Sequence, residues 1–585
     1  MVHRITVASV ISLSLMAAPL QAQSPTSVVN KLGVDQDVRS GMKVFMDEVL
    51  GGSLVLPDLP TLGTTLDVVP QIQLRGSNVQ ANNPSGDYVQ QFPGFRPFVR
   101  ATQSEVSTAA FGKHIVVGYN NSAGIHVSPN PSGPGLVVDR VQISGFAASA
   151  DGGQTWTNGF LPPSHNASET FGDPSVGVDR HGVFYYATLA ADATGHGTIQ
   201  VNSSTDGGLT WGEGVIVQQD DGSDKEWLAV GRDPVDGSRD NLYVTWTSFQ
   251  AAACELRFGR STDGGATWTS KTIFVPSSDP NPTHPTNCLQ FSNPVVDSVT
   301  GTLYVPFLRF SNADQDFIQM MASDDAGETF HFISFNAPGA PSPTVLPVTQ
   351  PGELTACGGT NIRLTIHGTA NPGPGRFGFP RYVNASRLTL QPAAAARNGI
   401  VYLAWSNSQS LFFGSSAGSD VWYMRSNDGG ETWNSPVIVN PVVGSDKHHV
   451  LPSLAIDTDP NDVHISYYTQ HTDASVDLDM ANSHDRGDTF PSNRTVRVTS
   501  TSSQLPPTNI PLTNAPLFRA TNYDRQIAVC YALGEYQSAT SSNGSVYVGW
   551  GDDRNQITEP VNALDPISGQ THPEQDVFVQ KVKAQ

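Results

Sequence analysis

Acidic and amide side chains recur along this chain at the start of short, apolar, aromatic-rich segments. The residues in this position are Glu105, Asp173, Glu226, Asn293, Gln391 and Glu535, and Trp227 and Tyr536 follow two of them. Several carboxylates that share one site raise one another's pKa, so they could act as a general acid and a general base. They could also collect a cation such as Ca²⁺, or each could simply cap backbone N–H groups nearby. We take Glu226, Asp173 and Glu535 as catalytic candidates, and Glu105, Trp227 and Tyr536 as binding candidates.

The segments that carry these residues have the pattern of β-hairpins. Each has an apolar run, a short turn rich in Gly, Asn or Asp, and a second run rich in aromatic and β-branched residues. Seven copies begin near Ser104, Asp173, Lys225, Ser292, Gln391, Leu451 and Gly534. The pattern predicts seven related antiparallel units, with the candidate residues at one end of each first strand.

A second phrase of eight residues occurs six times, after the first six hairpins. Its copies are Ser149–Trp156, Ser204–Trp211, Ser261–Trp268, Ser323–Phe330, Ser426–Trp433 and Ser483–Phe490. The shared Asp can accept backbone N–H bonds from the turn that follows, and the shared Gly can take the positive φ that such a turn needs. The final aromatic residue is suited to packing between sheets. A recurrence of this kind indicates one supersecondary unit used many times.

The eight-residue phrase resembles the Asp-box, or BNR repeat, of sialidase-like β-propellers. The resemblance covers roughly residues 104–582 and implies an all-β fold of four-stranded blades, with the boxes as structural turns on the outer rim. Seven hairpins predict a seven-bladed β-propeller; six blades, the number in sialidases proper, is the alternative. The seventh unit lacks a box, so we expect an N-terminal strand, within Leu66–Leu74, to complete it.

The resemblance covers the scaffold more fully than the active site. Phe95–Arg96–Pro97 departs from the family's F/Y-R-I-P phrase because it lacks the Ile. Arg363 and Arg381, in the long insertion His331–Ser386, are the arginines expected to reach over the site and hold an anionic sugar. The resemblance implies a protein that acts on or binds glycans, such as an exo-glycosidase. The alternatives are a non-catalytic scaffold that binds glycans or proteins, and a polysaccharide lyase.

The longest connections are expected to fall on the blade-to-blade links and on the turns between second and third strands. They are Asn120–Val141, Thr269–Leu289, His331–Ser386, Ser406–Ser419, Pro491–Cys530 and Asp553–Glu574. All belong to one face of the predicted propeller, which makes that face the functional one.

The chain opens with a basic region, His3 and Arg4, followed by an apolar stretch through about Leu20 and the small residue Ala22. This pattern is typical of a secretory signal peptide that is cleaved after Ala22. We divide the chain into a signal peptide (1–22), a helix and linker (23–100, with the helix at Asp35–Leu50) and the propeller (101–585). The product is expected to be secreted or periplasmic and monomeric. Asp and Glu number 53 against 32 Lys and Arg, which excludes nucleic acid as a partner, and no later apolar run is long enough to span a membrane.

Four cysteines, Cys254, Cys288, Cys357 and Cys530, in an exported chain favour two disulfides. Residue order allows three pairings, of which we predict Cys254–Cys288 and Cys357–Cys530. No cofactor is expected other than a structural Ca²⁺. A zinc site at His448, His449 and His464 would need a ligand that the sequence does not name, so we expect these histidines to be polar residues on the surface.

Overall fold

The computed structural model describes a chain built from strands and short turns. It covers residues 67–70, 78–90, 98–100, 103–129, 131, 136–165, 169–250, 254–279, 288–310, 316–335, 345–348, 353–356, 360–363, 391–408, 419–441, 446–457, 461–471, 475–504, 536–558, 561 and 571–583. Within these ranges there is no α-helix, and no helix could cross a membrane. The predicted signal peptide and the helix at Asp35–Leu50 lie outside them. The all-β prediction is confirmed.

The strands are numbered in chain order. The first eighteen are β1 (Asp67–Pro70), β2 (Val79–Gln80), β3 (Tyr88–Gln90), β4 (Phe98–Arg100), β5 (Gln103–Phe111), β6 (His114–Asn121), β7 (Ile125–Pro129), β8 (Leu136–Val141), β9 (Ser144–Ser149), β10 (Thr155–Phe160), β11 (Thr170–Val178), β12 (Phe184–Ala191), β13 (Gly197–Ser204), β14 (Val215–Gln219), β15 (Ser223–Arg232), β16 (Asp240–Ser248), β17 (Glu255–Ser261) and β18 (Thr269–Phe274).

The remaining strands are β19 (Cys288–Gln290), β20 (Val295–Val296), β21 (Leu303–Phe310), β22 (Asp316–Ser323), β23 (His331–Phe332), β24 (Val345–Val348), β25 (Glu353–Ala356), β26 (Thr360–Arg363), β27 (Ala393–Arg397), β28 (Ile400–Ser408), β29 (Ser419–Ser426), β30 (Val437–Ile438), β31 (Asp446–Ile456), β32 (Val463–His471), β33 (Ser475–Ser483), β34 (Val496–Arg497), β35 (Ser503–Gln504), β36 (Ser538–Ser542), β37 (Ser545–Thr558) and β38 (Thr571–Lys583). Short 3₁₀ turns lie at Pro84–Gly86, Ser122–Gly124, Pro276–Ser278 and Ser492–Arg494.

Most strands belong to antiparallel meanders in which each strand pairs with the next one along the chain. We number the meanders sheet 1 (β5, β6, β9, β10), sheet 2 (β11–β14), sheet 3 (β15–β18), sheet 4 (β19–β24), sheet 5 (β27–β30), sheet 6 (β31–β35) and sheet 7 (β36–β38). One parallel bridge, Ser419 to His448, joins sheets 5 and 6. Three further hairpins or pairs, β3–β4, β7–β8 and β25–β26, extend from the connections.

The first strand of each sheet contacts the first strands of the sheets before and after it. In sheet 4 the first strand is interrupted, and its second part, β20, makes these contacts. The order of contact is β5, β11, β15, β20, β27, β31 and β36, and β36 in turn contacts β5. Hydrogen bonds from backbone N–H groups to serine hydroxyls join several of these neighbours: Val176 N to Ser107 Oγ at 2.9 Å, and Leu228 N to Ser175 Oγ at 2.9 Å. Thr108 N donates in the same way to Ser538 Oγ across sheets 1 and 7.

Sheet 7 gains a fourth strand from the N-terminal region, but not from the predicted segment. The strand that pairs with β38 is β2, whereas β1, which lies within Leu66–Leu74, pairs with β10 at the edge of sheet 1. The side chain of Asn82 holds the β2 segment in place: its Nδ2 donates to Asp576 Oδ1 at 2.6 Å and its Oδ1 accepts from Val577 N at 2.9 Å. The prediction that a strand within Leu66–Leu74 completes sheet 7 was therefore wrong.

The six eight-residue phrases form equivalent turns between the third and fourth strands of sheets 1–6. In sheet 3, Asp263 accepts from Ser261 Oγ at 2.7 Å, from Thr267 N at 2.9 Å and from Thr267 Oγ1 at 2.6 Å. The aspartates of the other five turns accept the same three bonds. The two bonds from the threonine lie in exposed positions, so these donors are open to water.

The aromatic residues of the turns pack between neighbouring sheets. Trp211, which ends the turn of sheet 2, meets Phe146 of sheet 1 and Tyr186 of its own sheet at ring-centroid distances of 5.9 and 5.8 Å. Both contacts are edge-to-face, the geometry that aromatic quadrupoles favour. Trp211 thereby joins sheet 2 to sheet 1 at the turn between its third and fourth strands.

Candidate functional site

A bulge recurs near the start of the first strand in sheets 1, 2, 3 and 6. The pairing register shifts there, and a non-glycine residue within the bulge adopts a left-handed backbone: Glu105 (φ 57°), Asp173 (φ 56°), Lys225 (φ 54°) and Leu451 (φ 53°). Such a conformation costs on the order of 1–3 kcal/mol per residue and is enriched at functional sites. Bulges redirect side chains, and three of these four carry charged groups.

Asn120 links the carboxylate candidates of sheets 1 and 2. Its Nδ2 donates to Glu105 Oε2 at 2.9 Å, and its Oδ1 accepts from the backbone N–H of Asp173 at 2.9 Å. Gly172 leaves room for this bridge, because a Cβ at that position would lie 2.0 Å from Asn120 Oδ1. Glu105 and Asp173 are both buried, so Asn120 ties the carboxyl group of Glu105 to the backbone of Asp173 in the neighbouring sheet.

Glu226 of sheet 3 is an almost completely buried carboxyl group, with 1% of its surface exposed. Apart from its own backbone N–H, which lowers the pKa, no residue in the described part of the chain donates a hydrogen bond to either of its carboxylate oxygens. Burial raises the pKa of Glu226 well above its usual range, and the charge of Asp173 raises it further. The group is therefore held in its protonated form at pH values where an exposed glutamate is ionised.

Tyr536, which precedes β36 of sheet 7, interacts with Glu105, Asp173 and Glu226. Burial raises the pKa of its hydroxyl well above the usual value, and Glu105, Asp173 and Glu226 add to this rise. Its hydroxyl donates to the carbonyl of Pro174 at 3.2 Å. The interaction of one tyrosine with three carboxyl groups shows that side chains from sheets 1, 2, 3 and 7 converge.

Trp227 and Lys225 complete this group, which we call the central cluster (Glu105, Asp173, Lys225, Glu226, Trp227 and Tyr536). The rings of Trp227 and Tyr536 meet edge-to-face at 4.9 Å, and Lys225 Nζ lies 4.1 Å from the centroid of the Tyr536 ring. Sequence reasoning missed Lys225, although it precedes Glu226 directly and occupies the bulge position of Glu105 and Asp173. The recurrence of a charged residue at that position was the signal that could have found it.

A cavity of about 480 Å³ adjoins the central cluster and is lined by the first strands of all seven sheets. Trp227 and Tyr536 form part of its wall, together with Asn293 and Gln391. The rest of the lining is mostly small, with residues such as Ala393, Ala394, Ser453, Ser538 and Ala539. An apolar and amide-lined space beside buried acids is the arrangement expected of a small-molecule site.

Three predicted site residues are not placed by the structure. Glu535 and Arg381 lie outside the described residues, and the side chain of Arg363, the last residue of β26, lies outside them too. The structure therefore brings together Glu226, Asp173, Glu105, Trp227 and Tyr536 from the predicted set, and it adds Lys225.

The histidines that the sequence suggested were surface residues are buried, so that interpretation was wrong. His448, His449 and His464 have 0%, 4% and 0% of their surface exposed. His448 Nδ1 lies 3.1 Å from Ser419 Oγ, and His449 Nδ1 lies 3.3 Å from the Ser419 carbonyl. His464 belongs to a different group of residues near the start of β32.

A second group of buried acids lies between sheets 7 and 1, and sequence reasoning did not single it out. Burial, followed by the charge of Asp576, raises the pKa of Glu574 to about 7 and that of Asp87 well above its usual range. Asp576 is held by Asn82 and by Asn555, each at 2.6 Å. These acids fix the β2 segment to sheet 7.

Cys254 takes part in a disulfide bond. The side chains of the other three cysteines lie outside the described residues, so both predicted pairings remain predictions.

Comparisons with known proteins give distant structural similarity only. No family model and no curated protein sequence matches the chain. Among solved structures, the Hadza microbial sialidase Hz136 is 14% identical, with 90% of this chain and 98% of that chain covered and a TM-score of 0.36. A single-residue mutant of NanB sialidase from Streptococcus pneumoniae is 9% identical, with 90% and 94% covered and a TM-score of 0.39. A protein of unknown function from Dyadobacter fermentans is 13% identical, with 72% and 97% covered and a TM-score of 0.38. At these values the similarity says nothing about activity, and the proposals below depend on this chain's own residues.

Proposed function

We propose that the seven sheets are the blades of one sialidase-like β-propeller, spanning residues 101–585, with the central cluster on its axis. The cyclic contacts of the first strands support this arrangement, because β36 meets β5. The β2 strand, from the 23–100 region, closes the last blade in this proposal. The resemblance of the six turns to Asp-boxes supports their assignment to the outer rim. Residues 1–22 are proposed to direct export to the periplasm or the exterior.

We further propose that the central cluster hydrolyses glycosidic bonds. The observation that carries this proposal is the buried carboxyl of Glu226, whose pKa is raised by burial and by the charge of Asp173, together with the interaction of Glu105, Asp173 and Glu226 with Tyr536. Glycoside hydrolysis uses one carboxylic acid to protonate the leaving oxygen and a second carboxyl group as nucleophile or base. Glu226 is assigned the acid role, because its pKa is raised.

Asp173 is assigned the second role. Its position is set by the left-handed bulge and by the hydrogen bond from its N–H to Asn120, so its carboxyl group needs little reorganisation when the substrate arrives. Glu535, the neighbour of Tyr536, is proposed as a third acid of the site. Trp227 and Tyr536 offer aromatic faces for a sugar ring. Arg363 and Arg381 are proposed to bind the carboxylate of an anionic sugar.

The direct test compares Glu226→Gln with Glu574→Gln, because both residues are buried acids with raised pKa. Purified mature protein is assayed against fluorogenic glycosides, including sialosides and arabinosides. Loss of the general acid should lower kcat by about 10²–10⁴-fold in Glu226→Gln, while Glu574→Gln should keep the wild-type rate. Melting temperatures confirm that both variants are folded. Equal rates for Glu226→Gln and wild type would contradict the proposal.

The arginine assignment has its own test. Replacement of Arg363 and Arg381 by Ala should raise KM for glycosides with an acidic sugar and leave KM for neutral glycosides unchanged. A uniform effect on both classes would show that the arginines do not bind the substrate carboxylate.

A second candidate function is glycan binding without catalysis, which the aromatic pair at the cavity wall favours. In that case an oligosaccharide array would show binding, no glycoside would be turned over, and Trp227→Ala would abolish binding whereas Glu226→Gln would retain it. The lyase alternative is less well supported. Its base would be Tyr536, but burial raises the pKa of this hydroxyl, which lowers the fraction of the phenolate form that could accept a proton at neutral pH.

A further inference from the structure

The second strand of sheet 6 carries a histidine where other sheets carry a tyrosine. In sheet 2 the first paired residue after the bulge is Ser175, and Tyr185 pairs with Gly177, two positions further on. In sheet 3 the first paired residue after the bulge is Trp227, and Tyr243 pairs with Ala229, again two positions further on. In sheet 6 the same pairing position, opposite Ala455, is held by His464. Both tyrosines are buried, and His464 is fully buried too. A titratable ring with two nitrogens thus replaces a phenol at a repeated core position.

Two aspartates flank the hairpin that precedes His464. Asp457 follows β31 and Asp462 precedes β32, and Asp457 N donates to the Asp462 carbonyl at 3.1 Å, which closes the hairpin. One carboxylate oxygen from each aspartate and one ring nitrogen of His464 all lie within 4.8 Å of one another. Asp457 is 2% exposed. Three side chains of types that ligate metals therefore lie close together, with Asp457 and His464 buried and Asp462 half-buried.

The imidazole of His464 is oriented by its other neighbours. Its Nδ1 lies 2.6 Å from Asn482 Oδ1, while Nε2 has no hydrogen-bond partner within the described part of the chain. Asn482 is itself anchored, because its Nδ2 donates to the Arg494 carbonyl at 2.7 Å. Metal-bound histidines have this arrangement: one nitrogen donates to a fixed oxygen and the other is left for the ion.

Asp462 also has an outer partner, since its Oδ1 lies 2.5 Å from His484 Nδ1. Ligating carboxylates are commonly held by such contacts. His484 belongs to the eight-residue turn of sheet 6, so the group joins that turn to the hairpin of the first two strands.

We infer that Asp457, Asp462 and His464 form a binding site for a divalent transition metal, with Zn²⁺ as the ion that suits one imidazole and two carboxylates. Zinc–ligand distances of about 2.0–2.2 Å in a tetrahedral site place ligand atoms about 3.4 Å apart. The three atoms here, all within 4.8 Å of one another, would each need to approach by about 1.4 Å at most to reach that separation. Water would supply the fourth ligand. The ion would hold the hairpin of sheet 6 to its outer turn and stabilise the fold.

The test uses the mature full-length protein, stripped with EDTA and titrated with Zn²⁺, Mn²⁺ or Ca²⁺ by calorimetry. His464→Tyr is the key variant, because it restores the residue that sheets 2 and 3 carry and should fold. Wild type should bind one Zn²⁺ per chain and gain melting temperature, whereas His464→Tyr should bind at least 10-fold more weakly and gain none. Asp462→Asn should show the same loss, which covers the case in which His464→Tyr does not fold.

His196→Gln is the matched control, because His196 also faces an aspartate, Asp221, at 3.2 Å, but at the partly exposed edge of sheet 2. It should bind Zn²⁺ as wild type does. Co²⁺ offers a second readout: the absorption bands of a tetrahedral site should appear in wild type and be lost in His464→Tyr. Failure of wild type to bind Zn²⁺, binding of Ca²⁺ in preference to Zn²⁺, or equal Zn²⁺ binding by His464→Tyr would each overturn the inference.

Discussion

Glu169 should make the protein less stable as the pH rises, and replacing it with Gln should remove that effect. The residue directly precedes β11, is 2% exposed, and has a pKa that burial raises from 4.5 to about 8. In the unfolded chain the carboxyl group loses its proton near pH 4.5. The folded state therefore binds more protons than the unfolded state between pH 4.5 and 8, and the free energy of unfolding falls as the pH rises through that window.

The size of this effect follows from the two pKa values. One pKa unit corresponds to about 1.4 kcal/mol, so the change from 4.5 to about 8 corresponds to roughly 4–5 kcal/mol lost between pH 4.5 and pH 8. Other buried acids with raised pKa, such as Glu226 and Asp87, add losses in the same direction. Only the difference between wild type and variant isolates the contribution of Glu169.

The assay is urea unfolding of wild type and Glu169→Gln at pH 5 and pH 8.5. The amide keeps the shape and neutrality of the protonated acid, so the variant should gain on the order of 4 kcal/mol relative to wild type when the pH is raised. Glu213→Gln is the control, because Glu213 is exposed, and it should behave as wild type at both pH values. If the difference between Glu169→Gln and wild type were the same at pH 5 and pH 8.5, the reasoning would be refuted.

Three further predictions concern the turns and the cysteines. Asp263→Ala should lower the free energy of unfolding by about 1 kcal/mol. The loss should be smaller than at a buried hydrogen bond, because water can reach the Thr267 donors that lose their acceptor. An unchanged melting temperature together with lost activity would show that the turn is functional. Gly208→Ala should destabilise more than Gly265→Ala, because both have φ of 86° but the new Cβ would lie 2.2 Å from Val116 in the first and 3.7 Å from Leu242 in the second; equal melting temperatures would contradict this. Non-reducing peptide mapping should recover a Cys254–Cys288 peptide, and recovery of Cys254 with another partner would exclude the pairing.

The recurring hairpins and turns could be predicted because their signals are local. An Asp that caps the turn and a Gly at positive φ act within a few residues of each other, so the eight-residue phrase predicts the same turn wherever it occurs. The structure shows these bonds at Asp263 and at its five counterparts. What the phrase did not reveal is that the threonine bonds are exposed, since exposure depends on the neighbouring sheets.

The candidate site was predictable in part, for the same reason. Glu105 and Asp173 were recognised because they lie near the start of strands in an evident repeat. Lys225 was missed because the bulge inserts an extra residue, and that residue decides which of several adjacent polar side chains turns inward. A strand pattern in which alternate residues face the same side does not predict where such an extra residue is inserted.

The all-β class, the repeated antiparallel unit and the acids near the start of its first strands could be inferred from the order of residues alone, since each follows from local periodicity and turn chemistry. Contacts between distant segments were needed to establish that β2 rather than a strand within Leu66–Leu74 pairs with β38, that Glu226 is buried and interacts with Asp173, and that His464 lies close to two aspartates. Strand partners far apart in sequence, burial and pKa are set by packing between sheets, and no local pattern encodes which sheet packs against which.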